Sequence, residues 1–216
     1  NSFGFASSPM LHKGVLLVQY DQAEGAPGGS VLMGIDAATG RKNWRTPRPV
    51  TDSWPTPVVL DTALGPQAVT IANEWIIGYN PESGVELWRV KCEGSESTPS
   101  AVIAGGLVLA PVANSEVCAI RPDGRGDVTK THVAWTSGDV SGDVPSPVVH
   151  GGLAYFVRSS GTMTCLDAGT GKKIWQEELD GNFYASPVVV GDRIYLVDRS
   201  GEVFILKAGR VYEEIG

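Results

Sequence analysis

The chain has 216 residues, of which 42% are hydrophobic, and a formal net charge of -7 from 17 basic and 24 acidic side chains. The apolar content is enough for a folded core and argues against disorder, while the acidic balance disfavours a nucleic-acid-binding surface. No apolar run approaches the roughly 18 residues of a membrane span, and the first residues lack a signal-peptide pattern. We therefore expect a folded chain with no nucleic acid partner and no transmembrane segment.

A proline followed by a valine-rich run recurs along the chain and predicts the first strand of a repeated unit. The marker occurs at Pro9, Pro57, Pro99, Pro147 and Pro187, in steps of 48, 42, 48 and 40 residues. The chain also contains 27 glycines. No segment longer than about one turn has helical periodicity, and these glycines and prolines would interrupt a helix.

A second marker has the same period. A polar, glycine-containing turn leads into a tryptophan at Trp44, Trp88, Trp135 and Trp175, in steps of 44, 47 and 40 residues. Two independent markers thus share a period close to the 40 to 50 residues of a β-propeller blade. The sequence predicts approximate repeats at 7–44, 53–88, 97–135, 145–175 and 185–216, within one domain that spans 1–216.

Each unit is predicted to contain four short strands. In the last unit, Pro187–Val190 and Arg193–Val197 are joined by a two-residue turn, and Glu202–Leu206 follows as a third strand. In the unit before it, Met163–Leu166 leads into a fourth strand at Lys172–Gln176. Such a pattern of alternating strands and tight turns is typical of antiparallel meanders, so the predicted fold class is all-β.

The turn before each tryptophan predicts a structural role for that tryptophan. A four-stranded sheet must stack on its neighbours, and a large flat side chain fills the space between sheets. Asp167 is expected to bond the turn amides and Gly171 to adopt a positive φ. Asp36, Gly40 and Gly84 hold the same places in earlier copies.

The phrase Asp, three residues, Gly, three residues, Trp resembles the tryptophan-docking repeat of pyrroloquinoline-quinone (PQQ)-like β-propellers. It is carried by Asp36/Gly40/Trp44 and Asp167/Gly171/Trp175, more loosely by Asn80/Gly84/Trp88, and with extra residues before Trp135. The resemblance implies a β-propeller of four-stranded antiparallel blades. Propellers of this family commonly have seven or eight blades, so about four to five repeats imply part of a larger propeller. The alternative is a small ring that shares a blade between its ends.

The family includes periplasmic quinoprotein dehydrogenases and an outer-membrane assembly lipoprotein, so the resemblance leaves both an enzyme and a scaffold open. The dehydrogenases have adjacent cysteines over the PQQ cofactor and a calcium ion. Here Cys92, Cys118 and Cys165 are separated, which predicts three buried thiols, and no cluster of calcium ligands is recognisable. We expect a non-catalytic, extracytoplasmic bacterial scaffold in the periplasm, cell envelope or secreted fraction, without PQQ or calcium. A PQQ-dependent dehydrogenase fragment and the sensor domain of a larger receptor are the alternatives.

The candidate binding face consists of the loops that join the fourth strand of one unit to the next unit and the second strand to the third. This face is predicted to be acidic and to bind a protein, peptide or glycan. Trp54, Trp75, Phe183 and Tyr184 are expected to be exposed there as anchors. The polar members of the candidate face are Asn73, Asn114, Arg158 and Arg199.

The remaining motifs indicate no chemistry. His12, His132 and His150 are too scattered for a metal site, and no nucleophile motif is present. The tripeptide 125–127, Arg-Gly-Asp, has a high chance frequency. The loop Asp21–Ser30 is expected to be flexible and solvated. We therefore assign no catalytic, cofactor-binding or metal-binding residue.

Overall fold

The computed structural model describes residues 4–92, 94, 97–112, 115–140 and 143–216. In these ranges the chain forms 20 β-strands in five sheets and no helix, so the all-β prediction is confirmed. The first sheet contains β1 (Met10–His12), β2 (Val15–Tyr20), β3 (Val31–Asp36) and β4 (Lys42–Pro47). The second contains β5 (Val58–Thr62), β6 (Gly65–Ala72), β7 (Trp75–Tyr79), β8 (Glu86–Lys91) and, at its outer edge, β12 (Gly126–Asp127).

The other three sheets follow the same plan. The third contains β9 (Val102–Ala104), β10 (Leu107–Pro111), β11 (Val117–Ile120) and β13 (Val133–Ser137). The fourth contains β14 (Val148–His150), β15 (Leu153–Val157), β16 (Thr162–Asp167) and β17 (Lys173–Glu178). The fifth contains β18 (Val188–Val190), β19 (Arg193–Val197) and β20 (Val203–Lys207). Sequential strands pair antiparallel in every sheet, and β12 alone among these pairings runs parallel to its neighbour, β8.

The sheets stack as blades, and the core lies between them. Separate apolar clusters join the first sheet to the second, the second to the third, the third to the fourth and the fourth to the fifth. The first strands are neighbours, with β1 beside β5 and β14 between β9 and β18. All five residues of β15 are buried, because both faces of the fourth sheet are covered. The predicted propeller of four-stranded antiparallel blades is confirmed.

The tryptophans of three sheets contact the next sheet along the chain. A methyl group on Gly84 would lie 2.3 Å from Cε3 of Trp44, and one on Gly171 would lie 2.5 Å from Cε3 of Trp135. Trp175 Nε1 donates a hydrogen bond of 3.0 Å to the carbonyl oxygen of Gly209. Each of these indoles therefore packs on a glycine-containing turn of the following blade.

The glycine-containing turns that precede Trp44, Trp88 and Trp175 share one geometry, and those at Gly84 and Gly171 receive an indole from the preceding blade. Gly40, Gly84 and Gly171 all have φ of +72°, a conformation that only glycine adopts without strain. Asp36 Oδ1 accepts hydrogen bonds from the amide and hydroxyl of Thr39, at 2.8 and 2.7 Å. Bonds from Thr39 hold the pKa of Asp36 below its usual value. The aspartate and glycine of the repeat thus shape the turn.

Trp88 departs from this pattern, and the insertion in the third unit explains the difference. Its indole is fully buried, and its Nε1 donates a 2.7 Å hydrogen bond to Gln67 Oε1. Val128 of the insertion belongs to the same apolar cluster, and β12 pairs with β8 along the outer edge of the second sheet. The inserted residues therefore cover both an indole and a strand edge, which would otherwise be open to pairing.

A ladder of hydroxyl groups links the inner ends of the blades. In each pair of successive blades, a backbone amide donates a hydrogen bond to a side-chain hydroxyl of the next blade. The donors are the amides of Ser8, Thr56, Ser100 and Ser146, and the acceptors are the hydroxyls of Thr56, Ser100, Ser146 and Ser186, which lie 48, 44, 46 and 40 residues later. These residues precede Pro9, Pro57, Ala101, Pro147 and Pro187. The third marker was therefore wrongly placed at Pro99, because its structural equivalent is Ala101.

The three thiols are buried and free, as predicted. Burial raises the pKa of Cys92 and of Cys165 to about 12, and that of Cys118 to about 11. Since the thiolate is the reactive form, these cysteines are protected twice, by lack of access and by protonation.

We predict that none of the three thiols reacts with a thiol-specific chromogenic disulfide at pH 8 in the folded protein, and that all three react after unfolding in guanidinium. The measurement is a thiol count with and without denaturant. Fast labelling of one thiol in the folded protein would contradict the burial described above.

We also predict that Gly84→Ala destabilises the protein more than Gly40→Ala. Both replacements place a side chain at φ +72°, at a cost of about 1 kcal/mol. At Gly84 the new methyl group would also meet Trp44, whereas nothing lies within 4 Å of it at Gly40. Urea unfolding of dilute protein should show an extra loss of about 1–3 kcal/mol for Gly84→Ala. Equal losses would exclude a stabilising contact between the indole and the turn.

Candidate functional site

The structure places five of the candidate residues on the two sets of loops expected from the sequence. Trp54 lies between β4 and β5, and Tyr184 between β17 and β18. Asn73, Arg158 and Arg199 each follow the second strand of their sheet. Trp75 begins β7, and Asn114 lies outside the described residues.

Two members of the candidate set are in direct contact. The guanidinium carbon of Arg199 lies 4.6 Å from the centroid of the Tyr184 ring, and 55% of Tyr184 is exposed. The amide of Arg199 donates a 2.8 Å hydrogen bond to the carbonyl of Asn182, which ties the turn of the fifth sheet to the loop carrying Tyr184. The pair presents an aromatic face and a cation on a supported backbone, a combination suited to binding a partner.

Two of the four aromatic residues predicted to be exposed are buried, so that prediction was wrong for Trp54 and Phe183. Trp54 is 8% exposed, and its Nε1 donates to the carbonyl of Gly4 at 3.0 Å. Phe183 is fully buried and packs edge-to-face on Phe204 at 5.4 Å. Burying their large apolar area between loops and sheets is lower in free energy than leaving it exposed to water.

Trp75 is half-buried and is held in a layered contact at the edge of the second sheet. The guanidinium of Arg89 stacks over its ring at 5.0 Å. Both carboxylate oxygens of Glu86 accept hydrogen bonds from Arg89, each at 2.6 Å. Trp75 also packs against the cluster between the first and second sheets. These contacts indicate that Trp75 has a structural role.

A cleft of about 510 Å³ opens on the same loops, between the first and second sheets. Its walls come from the loop after β2, residues 48–51 of the connector to β5, and the turn between β6 and β7. Asn73, Glu24 and Glu74 line it, so one candidate residue borders a defined cavity. Glu74 has φ of +68°, where the corresponding turns of the fourth and fifth sheets have Gly161 and Gly201.

An ion pair that the sequence analysis missed lies at the base of this cleft. Arg48 Nε and Nη2 donate to the two carboxylate oxygens of Asp21 at 2.8 and 3.1 Å, and both side chains are fully buried. Arg48 Nη1 donates to the Thr70 hydroxyl at 2.5 Å. Ser53 and Gln19 donate to Asp21 Oδ2 at 2.5 and 2.9 Å. Asp21 was expected in a solvated loop, and that expectation was wrong.

Attraction to the carboxylate favours the charged form of Arg48. Burial alone would lower the pKa of Arg48, but attraction to the Asp21 carboxylate raises it above the ordinary value. The Tyr79 ring lies 5.7 Å below the guanidinium, and burial raises the pKa of its hydroxyl. A charged pair with this many hydrogen bonds offsets the cost of its desolvation.

We predict that Arg48→Ala lowers the free energy of unfolding by about 3–5 kcal/mol, because it leaves the Asp21 carboxylate buried without its cation. The matched control is Arg45→Ala. Arg45 is an exposed residue of β4 that bonds the Gly28 carbonyl, so its loss should cost under about 1 kcal/mol. Urea unfolding measures both, and similar small losses would show that the buried pair is not a structural requirement.

Asp143 is another anchor that sequence reasoning did not identify. Its carboxylate accepts hydrogen bonds from the amide of Ser159, at 3.0 and 2.9 Å, and from the Ser159 hydroxyl. It thus fastens the loop before β14 to the turn that contains Arg158. A polar residue in a loop gives no signal of such a partner, because the two segments meet only in the folded sheet.

Within the described ranges, no group of three or more His, Cys, Asp or Glu side chains is arranged to hold a metal ion. The same part of the chain has no helical segment with the length and apolar character of a membrane span.

Comparisons with known proteins come from sequence and from structure. A family model described as "Outer membrane protein assembly factor BamB" matches residues 4–210. The protein of that name from Yersinia pestis is 25% identical over 191 residues, covering 83% of this chain and 46% of that protein. The one from Salmonella typhimurium is 40% identical over 62 residues, covering 28% of this chain and 15% of that protein. The chain therefore spans less than half the length of these curated relatives.

Solved structures show the same fold. BamB from Moraxella catarrhalis is similar with a TM-score of 0.65 and 17% identity, covering 98% of this chain and 59% of that chain. Sqt1 from Saccharomyces cerevisiae is similar with a TM-score of 0.76 and 13% identity, covering 97% of this chain and 60% of that chain. At these identities the similarity shows the fold alone.

Proposed function

Because the chain belongs to the family of the outer membrane protein assembly factor BamB, we propose that it is a non-catalytic scaffold that binds protein partners during outer membrane protein assembly in bacteria. The family match over 4–210 is the observation that carries this proposal, since a propeller alone hosts many functions. The proposed location is the periplasm or the cell envelope, where such assembly takes place.

The proposed contact surface is the candidate binding face, which consists of the loops described above and is called the loop face from here on. Tyr184 supplies exposed aromatic area beside the Arg199 guanidinium, and Asn73 borders the polar cleft between the first two sheets. The Asp21–Arg48 pair and the Asp143–Ser159 bonds anchor these loops to the sheets. Side chains held on a firm base lose little conformational freedom on binding, which favours affinity. A protein or peptide segment fits such an open surface.

We further propose that this function requires neither PQQ nor calcium. Binding through loops and exposed side chains uses no electron transfer. The expected calorimetric result is no heat of binding when PQQ and calcium are titrated into the chain, and no dye-linked oxidation of alcohols or sugars. Turnover in that assay would instead support the dehydrogenase alternative.

The test of the scaffold proposal is site-specific photo-cross-linking in envelopes of Salmonella typhimurium. A photo-reactive phenylalanine analogue replaces Tyr184, which is 55% exposed on the loop face. The matched control carries the analogue at Arg41, an exposed position between β3 and β4 on the opposite face of the propeller. We expect position 184 to form adducts with an outer membrane assembly protein and position 41 to form none.

Arg199→Ala should weaken the adducts from position 184, because it removes the cation beside the ring. Equal adducts from both faces, or adducts from neither in a folded and abundant chain, would contradict the proposed surface.

A further inference from the structure

A second cleft opens on the face of the propeller opposite the loop face. It has a volume of about 440 Å³ and lies between the second and third sheets. One wall is formed by residues 61–63 of the turn between β5 and β6, and the other by residues 121–123, where the insertion after β11 begins. Each of these two sheets packs against a sheet on either side, so the cleft belongs to a complete blade interface. We call it the turn cleft.

The turn cleft has an apolar floor. Leu60 of β5 and Ile103 of β9 line it, and both pack in the cluster that joins the second and third sheets. Leu64 follows Ala63, which also lines the cleft, and 51% of the Leu64 surface is exposed. A large apolar side chain left in water beside an apolar cavity is typical of a binding surface.

One buried amide holds both walls of the turn cleft. The Gln67 side chain is fully buried, and its Nε2 donates to the Pro122 carbonyl oxygen at 2.8 Å and to Thr62 Oγ1 at 3.3 Å. Its Oε1 accepts the hydrogen bond from the Trp88 indole. The Leu64 amide donates to the same Thr62 hydroxyl at 3.1 Å. Because the walls are already fixed, little conformational entropy is lost when a ligand binds between them.

The charged groups around the turn cleft favour a cationic ligand. Asp61, Asp123 and Arg121 line it. Arg121 Nη2 donates to the Thr131 carbonyl oxygen at 2.6 Å, so its guanidinium is held by the insertion. Asp123 Oδ1 lies 3.6 Å from His132 Nε2, which neutralises it only when the imidazole is protonated. In the part of the chain that the structure describes, the Asp61 carboxylate has no hydrogen-bond or ion-pair partner, so it is available to a cation.

We propose that the turn cleft binds an extended segment of a partner protein in which an apolar side chain is next to a lysine or arginine. The apolar side chain packs on Leu60 and Ile103, and the cation pairs with Asp61. This site is separate from the loop face, so either proposal stands if the other fails. The cross-linking control position, Arg41, lies on the first sheet and outside this site.

The test is a titration of the isotope-labelled full chain with a synthetic peptide, followed by the chemical shifts of the backbone amides. The probe is acetyl-Ser-Leu-Lys-Leu-Lys-Ser-amide. In one matched peptide glutamate replaces both lysines, and in another serine replaces both leucines. We expect the probe to shift the amides of residues 61–64 and 103–106, and each matched peptide to bind at least about tenfold more weakly.

Two variants of the chain test the individual contacts. Asp61→Lys replaces an attraction by a repulsion and should weaken binding of the probe about tenfold. Its matched control is Asp192→Lys, because Asp192 is exposed on the equivalent turn of the fifth sheet. Leu64→Ser should weaken binding about fivefold through loss of apolar contact. Val85→Ser is its control, since Val85 is 58% exposed on the turn before β8, which faces the first sheet.

The amide spectra also show whether each variant is folded. Shifts at the turn cleft that are reduced in Asp61→Lys and Leu64→Ser, but not in their controls, support the proposal. It is overturned by the absence of shifts, by shifts confined to the loop face, or by equal binding of the glutamate peptide. Shifts of the same amides when the chain is diluted without peptide would identify a second copy as the occupant and would also overturn it.

Discussion

Contact between a large side chain of one sheet and a glycine turn of the next is the constraint on which this architecture depends. A four-stranded sheet of this size has two faces and cannot bury both by itself. Trp44 and Trp135 solve the problem by covering the turns at Gly84 and Gly171, where any larger residue would collide with the indole. The positive φ of those glycines brings the turn backbone close enough for contact. Sheet stacking thus requires a glycine in the turn as much as it requires the indole.

The stacking of the sheets also holds the loops of the loop face in place. Asp21 and Arg48 come from different connections of the first blade, and Thr70 comes from the second blade. Their fully buried network joins the two sheets beneath the cleft, so the cleft walls are held by the interface itself. A substitution at the base would therefore change loop geometry and stability together. The outer contacts, by contrast, involve exposed groups such as Tyr184 and Arg199, which are available to a partner.

Family membership and blade packing are different properties of the molecule. The family match supports the proposed protein partners, while the apolar clusters between the sheets hold the blades together. The chain covers 59% and 60% of two solved structures that share its fold. Each of the four blade interfaces has opposed apolar faces and a hydroxyl bond, and three of the four also have a docking turn.

The sequence by itself determined the all-β class, the repeat and its period, because strand alternation, turn glycines and docking tryptophans are local patterns that recur within each unit. It also placed the candidate loops on the correct connections. Only the tertiary structure decided which side chains are buried and which residues contact each other. Trp54 and Phe183 look like exposed loop aromatics until neighbouring segments cover them. Asp21 and Arg48 are 27 residues apart, so their pairing leaves no local signal. Equally, only the hydrogen bonds between blades showed that Ala101 replaces the expected proline. Contacts between sheets depend on which surfaces meet, and that is a property of the folded stack.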